Sequence, residues 1–370
     1  MRVGIPKELK DHEYRVAITP AGVHELVAHG NDVLIEQGAG RGSSIPDTDF
    51  ERAGAKIVPD ADTVFADADM VLKVKEPIPE EFHRLREGLV LFTYLHLAAS
   101  EPVTRALLDS KTTGVAYETI ELPDRSLPLL APMSEVAGRM APHVGANLLE
   151  RGHGGRGILM GGVSGVRPAQ VVVIGAGMSG MNAAWIAQGM EAEVIVLDKN
   201  INKLRDIDRI HQGKIQTLMS NRLTVHEVVT SADLVIGAVL VPGAKAPKIV
   251  SREVVAQMQP GSVIVDISID QGGCFETSKM TTHSDPTYVV DDVVHYCVGN
   301  MPGAVPHTST YALTNATLPY VVALASLGVE EAARQDPGLA LGVNTYQGHC
   351  VYEPVSDAHG LGFTPLAELL

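Results

Sequence analysis

The chain has 370 residues, more than one hydrophobic core usually serves, so two domains are expected. Hydrophobic residues make up 45% and charged residues 20%, which excludes a disordered chain, and 36 glycines call for many tight turns. A formal net charge of −15 excludes the broad basic face that nucleic-acid binding needs.

The amino-terminal MRVGIPKELK turns polar after six residues, so no secretory leader is read there. No apolar run approaches the roughly 20 residues of a membrane span. Cys274, Cys297 and Cys350 are odd in number and widely spaced, which suits reduced thiols and a cytoplasmic location without disulfides. Strands are expected at 2–5, 32–36, 70–74, 89–92 and 113–116, alternating with helical stretches, and this pattern predicts a parallel sheet covered by helices. Thr19-Pro20 reads as a helix N-cap followed by proline at the first helical position, with Gly30 closing that helix. Val136, Met140, Val144 and Leu148 recur at four-residue spacing, so 133–151 reads as a connecting helix despite Pro142. A glycine-rich loop or hairpin follows at 153–165. A second α/β series then begins, with strands at 170–174, 193–197, 234–237 and 262–266, and a helix at 309–327 that could return the chain to the first domain. The expected architecture is two Rossmann-like doubly wound domains joined by long helices, with the active site in a cleft between them. Residues 1–130 plus 307–370 form the catalytic domain and 131–306 the nucleotide domain.

The sharpest local signal is VVVIGAGMSG. A buried strand runs straight into Gly175-Ala176-Gly177-Met178-Ser179-Gly180, and an alanine-rich helix follows. Gly175 permits the tight turn, Gly177 lets the backbone approach a diphosphate, and Gly180 lets helix pack closely on strand. Asp198 ends the next strand, where an acid accepts hydrogen bonds from the adenosine ribose and repels a 2′-phosphate, so NAD is favoured over NADP. The bland alternative, a glycine-rich turn beside a surface acid, ignores the complete βαβ setting.

Several blocks in order carry a resemblance: GIPKELKDHEYRVAITP, LKVKEP, FTYLHLA, LPLLAPMSEVAGR, GGVSGVRPA, IGAVLVPGAKAP, VDISIDQGGCFE and NMPGAVPHTSTYALTNATLPY. The chain resembles the alanine dehydrogenase and nicotinamide nucleotide transhydrogenase family, and within it the alanine dehydrogenase branch. Three departures stand out: His12 where the family often has asparagine, Ser179 for a commoner alanine, and Glu191 where members usually show glycine. The tail beyond about Gly328 is the least family-like part. The resemblance implies reversible, NAD-dependent oxidative deamination of L-alanine to pyruvate and ammonium in a homohexamer.

Such chemistry needs a cationic clamp, an acid/base group and a nicotinamide held against the α-carbon. Arg15, Lys75, His96 and Asp270 fall just after expected strands, and the resemblance gives these positions active-site roles. Arg15 would clamp the substrate carboxylate bidentately. Lys75 would contact the carboxylate or polarise the carbonyl. His96 is the candidate acid/base, with Asp270 assisting water addition, and the two roles could be exchanged. A satisfied core histidine is the other reading of His96, and a turn-capping acid that of Asp270. Lys73 reads as structural, sharing a strand face with Lys75. Glu118 is either a supporting carboxylate or an ordinary exposed acid. The resemblance adds Ser134 and Lys203 as NAD contacts, with Val239, Leu240, Ile267, Asn300 and Met301 near the nicotinamide. No HExxH, paired CxxC, EF-hand loop, GxSxG elbow or Walker loop is present, so no metal is expected and hydrolase or ATPase readings fall away. Two other readings stay open: an NAD(H)-binding transhydrogenase component, and a non-catalytic NAD sensor.

Overall fold

Short β-branched runs separated by helices build two sheets. The first six strands are β1 (Arg2–Ile5), β2 (Asp32–Glu36), β3 (Lys56–Val58), β4 (Met70–Leu72), β5 (Val90–Thr93) and β6 (Thr113–Ala116). Next come β7 (Gln170–Ile174), β8 (Glu193–Asp198), β9 (Gln216–Met219), β10 (Leu234–Gly237), β11 (Val263–Asp266), β12 (Thr287–Val290) and β13 (Val293–Tyr296). The tail adds β14 (Val343–Tyr346) and β15 (His349–Cys350). The computed structural model describes residues 1–239 and 246–370. It divides into two compact units, Met1–Met133 with Val305–Leu370, and Ser134–Ala304.

In the first unit the strands lie in the order β15-β14-β6-β5-β4-β1-β2-β3. β1 to β6 pair in parallel, and the tail strand β14 adds antiparallel to β6. Counted along the chain, the parallel strands follow 3-2-1-4-5-6, the doubly wound order of a dinucleotide fold. The second unit repeats that order, β9-β8-β7-β10-β11-β13, with β12 antiparallel at the edge. In β7, Val171 and Val173 pack into one apolar cluster while Val172 and Ile174 pack into another. A strand buried on both faces must be apolar at every position, which is why its sequence shows no alternation.

Thr19 caps the helix Pro20–Ala28, its hydroxyl accepting from the Gly22 N–H at 3.4 Å, and Gly30 beyond its end has φ +77°. The connecting helix runs Ala131–Leu148, starting and ending slightly before the expected bounds, and Pro142 sits inside it. The helix Pro306–Gln335 is longer than expected and breaks at Gly328, where φ is 76° and ψ 167°. By length and composition alone this helix could cross a membrane, although no single apolar run marks it in the sequence. Its Leu313, Thr317, Val321 and Leu324 are buried, and Leu318 meets the Gly22 turn of the helix Pro20–Ala28, as in a core helix of the first unit.

Candidate active site

In open parallel sheets, ligands gather beyond the carboxyl ends of the strands where the order reverses. In the first unit that reversal lies between β1 and β4. The segments leaving β1, β4, β5 and β6 carry Arg15, Lys75, His96 and Glu118, so adjacent strands deliver all four to the same edge of one sheet.

Arg15 is only 2% exposed. Buried Glu13 accepts from its Nε at 2.7 Å and its Nη2 at 2.5 Å, while Nη1 lies 3.0 Å from Met133 Sδ. Burial works against the guanidinium charge, but the hydrogen bonds and charge of Glu13 more than offset it and hold Arg15 protonated. The expected bidentate fork is therefore closed on Glu13, and Nη1 faces a thioether.

Strand β4 stops at Leu72, so Lys73 and Lys75 follow the strand instead of sharing a face of it. Lys73 is fully buried, with Nζ 3.0 Å from Glu8 Oε2 and 2.9 Å from Glu81 Oε1. Burial disfavours its charge, and the two carboxylates overcome that and raise its pKa. With one ammonium for two acids, burial still pushes the Glu8 carboxyl above its ordinary value. Glu8 Oε1 also accepts from the backbone N–H of Val74 at 2.5 Å and of Lys75 at 3.4 Å, which pins the segment presenting Lys75.

His96 is exposed, which removes the core-histidine reading. Its backbone is left-handed, φ 49°, and its N–H donates to Glu118 Oε1 at 2.6 Å. The imidazole Nδ1 lies 3.8 Å from the same oxygen, and the ring stacks on buried Tyr94 at 5.8 Å with a 4° interplanar angle. Tyr94 donates to the Leu129 carbonyl at 2.6 Å, fixing that aromatic platform. Glu118 thus supports His96 through backbone and ring together.

In the second unit the fingerprint follows β7, at the reversal between β7 and β10. Gly175 has φ +106°, and a Cβ there would lie 2.4 Å from the Ala238 carbonyl oxygen. A Cβ at Gly180 would come 1.7 Å from the Gly175 oxygen, whereas at Gly177 it would meet nothing within 4 Å. Two glycines are thus demanded by packing, and the third opens a space at the amino end of the helix Met178–Gly189. Unpaired N–H groups and the helix dipole make that space a fit for a dinucleotide diphosphate.

Asp198, at the end of β8, accepts from the Ala176 N–H at 2.7 Å and the Asn200 N–H at 2.7 Å. It ties its own strand end to the glycine loop, and each oxygen keeps a further lone-pair position for a ribose hydroxyl. Ser134 lies one helical turn before Gly138, whose Cβ would be 2.2 Å from the Ser179 oxygen, so the connecting helix touches the fingerprint helix directly. Lys203 is exposed on the helix Ile201–His211. Val239 donates its N–H to Ser268 Oγ at 2.8 Å, joining the ends of β10 and β11. Ile267 and Asp270 sit in the 3₁₀ turn Ile267–Gln271 after β11, and Asn300, φ 60°, and buried Met301 come after β13. Asp270 is exposed, and its Oδ1 lies 3.2 Å from the Cβ position of Gly299. The last predicted position, Leu240, lies outside the described residues.

The family model for the alanine dehydrogenase/PNT N-terminal domain matches residues 4–137, and that for the C-terminal domain matches residues 141–353. The chain belongs to the alanine dehydrogenase/PNT family. It is 60% identical over 370 residues, all of both chains, to an alanine dehydrogenase of Mycobacterium tuberculosis strain CDC 1551 / Oshkosh. It is 55% identical to one of Staphylococcus haemolyticus, over 100% of this chain and 99% of the relative. A solved L-alanine dehydrogenase superposes with a TM-score of 0.95 at 48% identity, covering 97% of this chain and 99% of the other. A transhydrogenase from Sinorhizobium meliloti superposes at 0.80 with 26% identity, covering 95% and 99%.

In this member of the alanine dehydrogenase/PNT family, the supporting carboxylates other than Glu118 were the part that sequence reasoning missed. Glu8, Glu13 and Glu81 are three acids among many, and burial, which sets them apart, is invisible before the fold is known. Among the described residues no cluster of His, Cys, Asp or Glu could hold a metal ion.

Proposed function

We propose that this alanine dehydrogenase/PNT chain is an NAD-dependent L-alanine dehydrogenase, an oxidoreductase interconverting L-alanine with pyruvate and ammonium. The observation that carries the reading is a dinucleotide cradle in one unit together with Arg15, Lys75 and His96 at the carboxyl ends of adjacent strands in the other. Identity of 60% over the full length to a named alanine dehydrogenase directs the chemistry to alanine.

When bound, NAD supplies a hydride acceptor for the substrate α-carbon. Gly175, Gly177 and Gly180 receive its diphosphate and Asp198 its ribose, with Ser134 and Lys203 as further contacts. Val239, Ile267, Asn300 and Met301 line the nicotinamide end. Arg15 meets the substrate carboxylate through its Nη1 side, where the Met133 thioether now lies. Lys75 contacts the carboxylate or carbonyl oxygen and polarises the latter. His96 moves protons to and from the amine and carbonyl, and Asp270 takes the proton of the water whose oxygen replaces the departing ammonia. A pocket that senses one methyl group gains only about 1–3 kcal/mol, so slower turnover of glycine is part of the reading. The reading extends to a cytoplasmic homohexamer, as the family resemblance implies.

The test follows NADH absorbance with purified protein, NAD and L-alanine, beside Lys75→Ala. Turnover that vanishes in the variant is expected. NAD binding without alanine turnover would sink the dehydrogenase reading and favour a transhydrogenase-like component, to which the 26% identical structure gives some support, or an NAD sensor.

A further inference from the structure

The turn that carries Asp270 is held from both sides by groups with no role so far. On one side stands Asp266, the last residue of β11, only 2% exposed. Its Oδ1 accepts from the Ser268 N–H at 3.0 Å, and its Oδ2 accepts from the Cys274 N–H at 2.9 Å and the Ser278 hydroxyl at 2.5 Å. Burial raises the Asp266 carboxyl, while these donors and the charge of Lys248 work the other way. A Cβ at Gly273 would lie 2.4 Å from Oδ2, so only glycine lets the carboxylate fit beneath the turn.

On the other side stands Lys248. An ammonium has three donors. Those of Lys248 meet the carbonyl oxygens of Gly272 at 2.6 Å, Gly273 at 3.0 Å and Phe275 at 2.9 Å. The flanking backbone runs along the same turn, with the Ala246 N–H on the Gln271 oxygen at 2.9 Å and the Ile249 N–H on the Cys274 oxygen at 2.7 Å. The carboxylate thus collects the N–H groups of the turn and the ammonium collects its carbonyls. A surface lysine ordinarily spends its donors on water. Fixing three carbonyls of one turn immobilises the left-handed pair Gly272 and Gly273, φ 91° and 74°, the two residues most able to swing. The result is a rigid arm that keeps the Asp270 carboxylate over Gly299.

We propose that Lys248 and Asp266 are positioning residues that clamp the 267–275 turn and so aim Asp270 at the reacting centre. The proposal rests on the acid/base role proposed for Asp270. Lys248→Met keeps the aliphatic stem and removes all three bonds. Displacement of a catalytic group by about an ångström costs up to roughly 100-fold, so the single-turnover rate of alanine oxidation should fall about 10- to 100-fold. Lys248→Arg should recover part of that loss. NADH affinity, read by fluorescence, should stay within about threefold, because the diphosphate and ribose contacts proposed at the glycine loop and Asp198 lie outside the 267–275 turn.

A double-mutant cycle separates this role from general weakening of the fold. In an Asp270→Asn background, Lys248→Met should cost nothing more. Amide exchange at Ser268 and Cys274 should quicken in Lys248→Met and stay unchanged in Asp270→Asn, a readout that survives even where residual activity is too low to follow. A wild-type rate in Lys248→Met, unaltered exchange, or losses that multiply in the double variant would each overturn the proposal. Failure of the underlying reading looks different: Asp270→Asn would itself turn over alanine at the wild-type rate, whatever Lys248→Met does.

Discussion

The two units share one strand order and, on the function proposed, meet different binding problems. In the first, cations are held by buried charge: Glu13 grips Arg15, Glu8 and Glu81 enclose Lys73, and Glu8 also steadies the segment of Lys75. In the second, loops are held by backbone groups: Asp198 and Asp266 collect N–H donors, and glycines admit close approach. A small carboxylate substrate offers little surface, so its site needs strong, fixed charges, and buried carboxylates supply the fixing. A dinucleotide offers a long polar chain, so its site needs exposed backbone and clearance. One scaffold serves both because function resides in the loops after the strands.

This contrast predicts where damage will register. The largest effect is expected at the imidazole itself. His96→Gln should lower kcat about 10²- to 10⁴-fold, the usual worth of a general acid/base, with NADH binding retained in a fluorescence titration. Retained activity would move the acid/base role away from the first unit.

Next in size, Lys73→Met leaves two buried carboxylates without their cation. Breaking such an arrangement costs about 3–5 kcal/mol, to be read as a lower Tm at neutral pH. The sign with pH follows from burial, which already pushes the Glu8 carboxyl up. An acid whose pKa is raised in the folded state is penalised while ionised, and the penalty is relieved as pH falls through the folded value. The Tm deficit of the variant should therefore narrow on acidification. A deficit independent of pH would show that lost packing, not charge, is at fault.

A smaller effect belongs to the cradle. Gly180→Ala sets a methyl against the Gly175 oxygen, and overpacking of this kind costs about 1–3 kcal/mol. The strain should lower Tm and, by displacing the helix end that faces the diphosphate, weaken NADH binding by up to roughly 5- to 150-fold at 1.4 kcal/mol per decade. If Tm falls and affinity holds, the glycine serves the fold and not the ligand.

The smallest effect improves the protein. Glu191, where the family resemblance leads one to expect glycine, is exposed and left-handed at φ 65°, just past the end of the helix Met178–Gly189. That conformation costs a side chain about 1–2 kcal/mol, and glycine gives back about 0.5–1 kcal/mol in chain entropy. Glu191→Gly should raise stability by the difference, at most about 1.5 kcal/mol, in a denaturant titration. No change would mean that the glutamate already compensates locally.

The legible parts of the fold were those with a strong apolar signal. Runs such as VGI, VLI and VVVI announced their strands, and GAGMSG announced its turn because each glycine answers a separate steric demand. Short or polar strands such as KIV, QTLM and VNTY carry too few positions to stand out. The hairpin of β12 and β13 lies outside the expected strands, although Asp291 and Asp292, φ 50° and 61°, form the two-residue turn with both residues left-handed that such a hairpin favours. The principal site residues could be proposed because they follow strands and match family blocks. Of their partners only Glu118 could be offered, since whether an acid such as Glu8 is buried beside a cation depends on contacts across dozens of residues, as between Glu8 and Lys73.

The edge strand β14 gives the molecule an order of assembly. It pairs with β6, yet more than two hundred residues are made between them, and those residues include the whole second unit. On the ribosome, β6 therefore emerges long before its antiparallel neighbour exists. The second unit, continuous in sequence, can close while the first still waits for its last two strands. Synthesis from the amino end usually lets the leading domain fold first, and here the insertion reverses that precedence. A release of the chain before residue 343 leaves the sheet that carries Arg15, Lys75 and His96 with an open edge, so truncated products are expected to be selectively lost to aggregation or proteolysis.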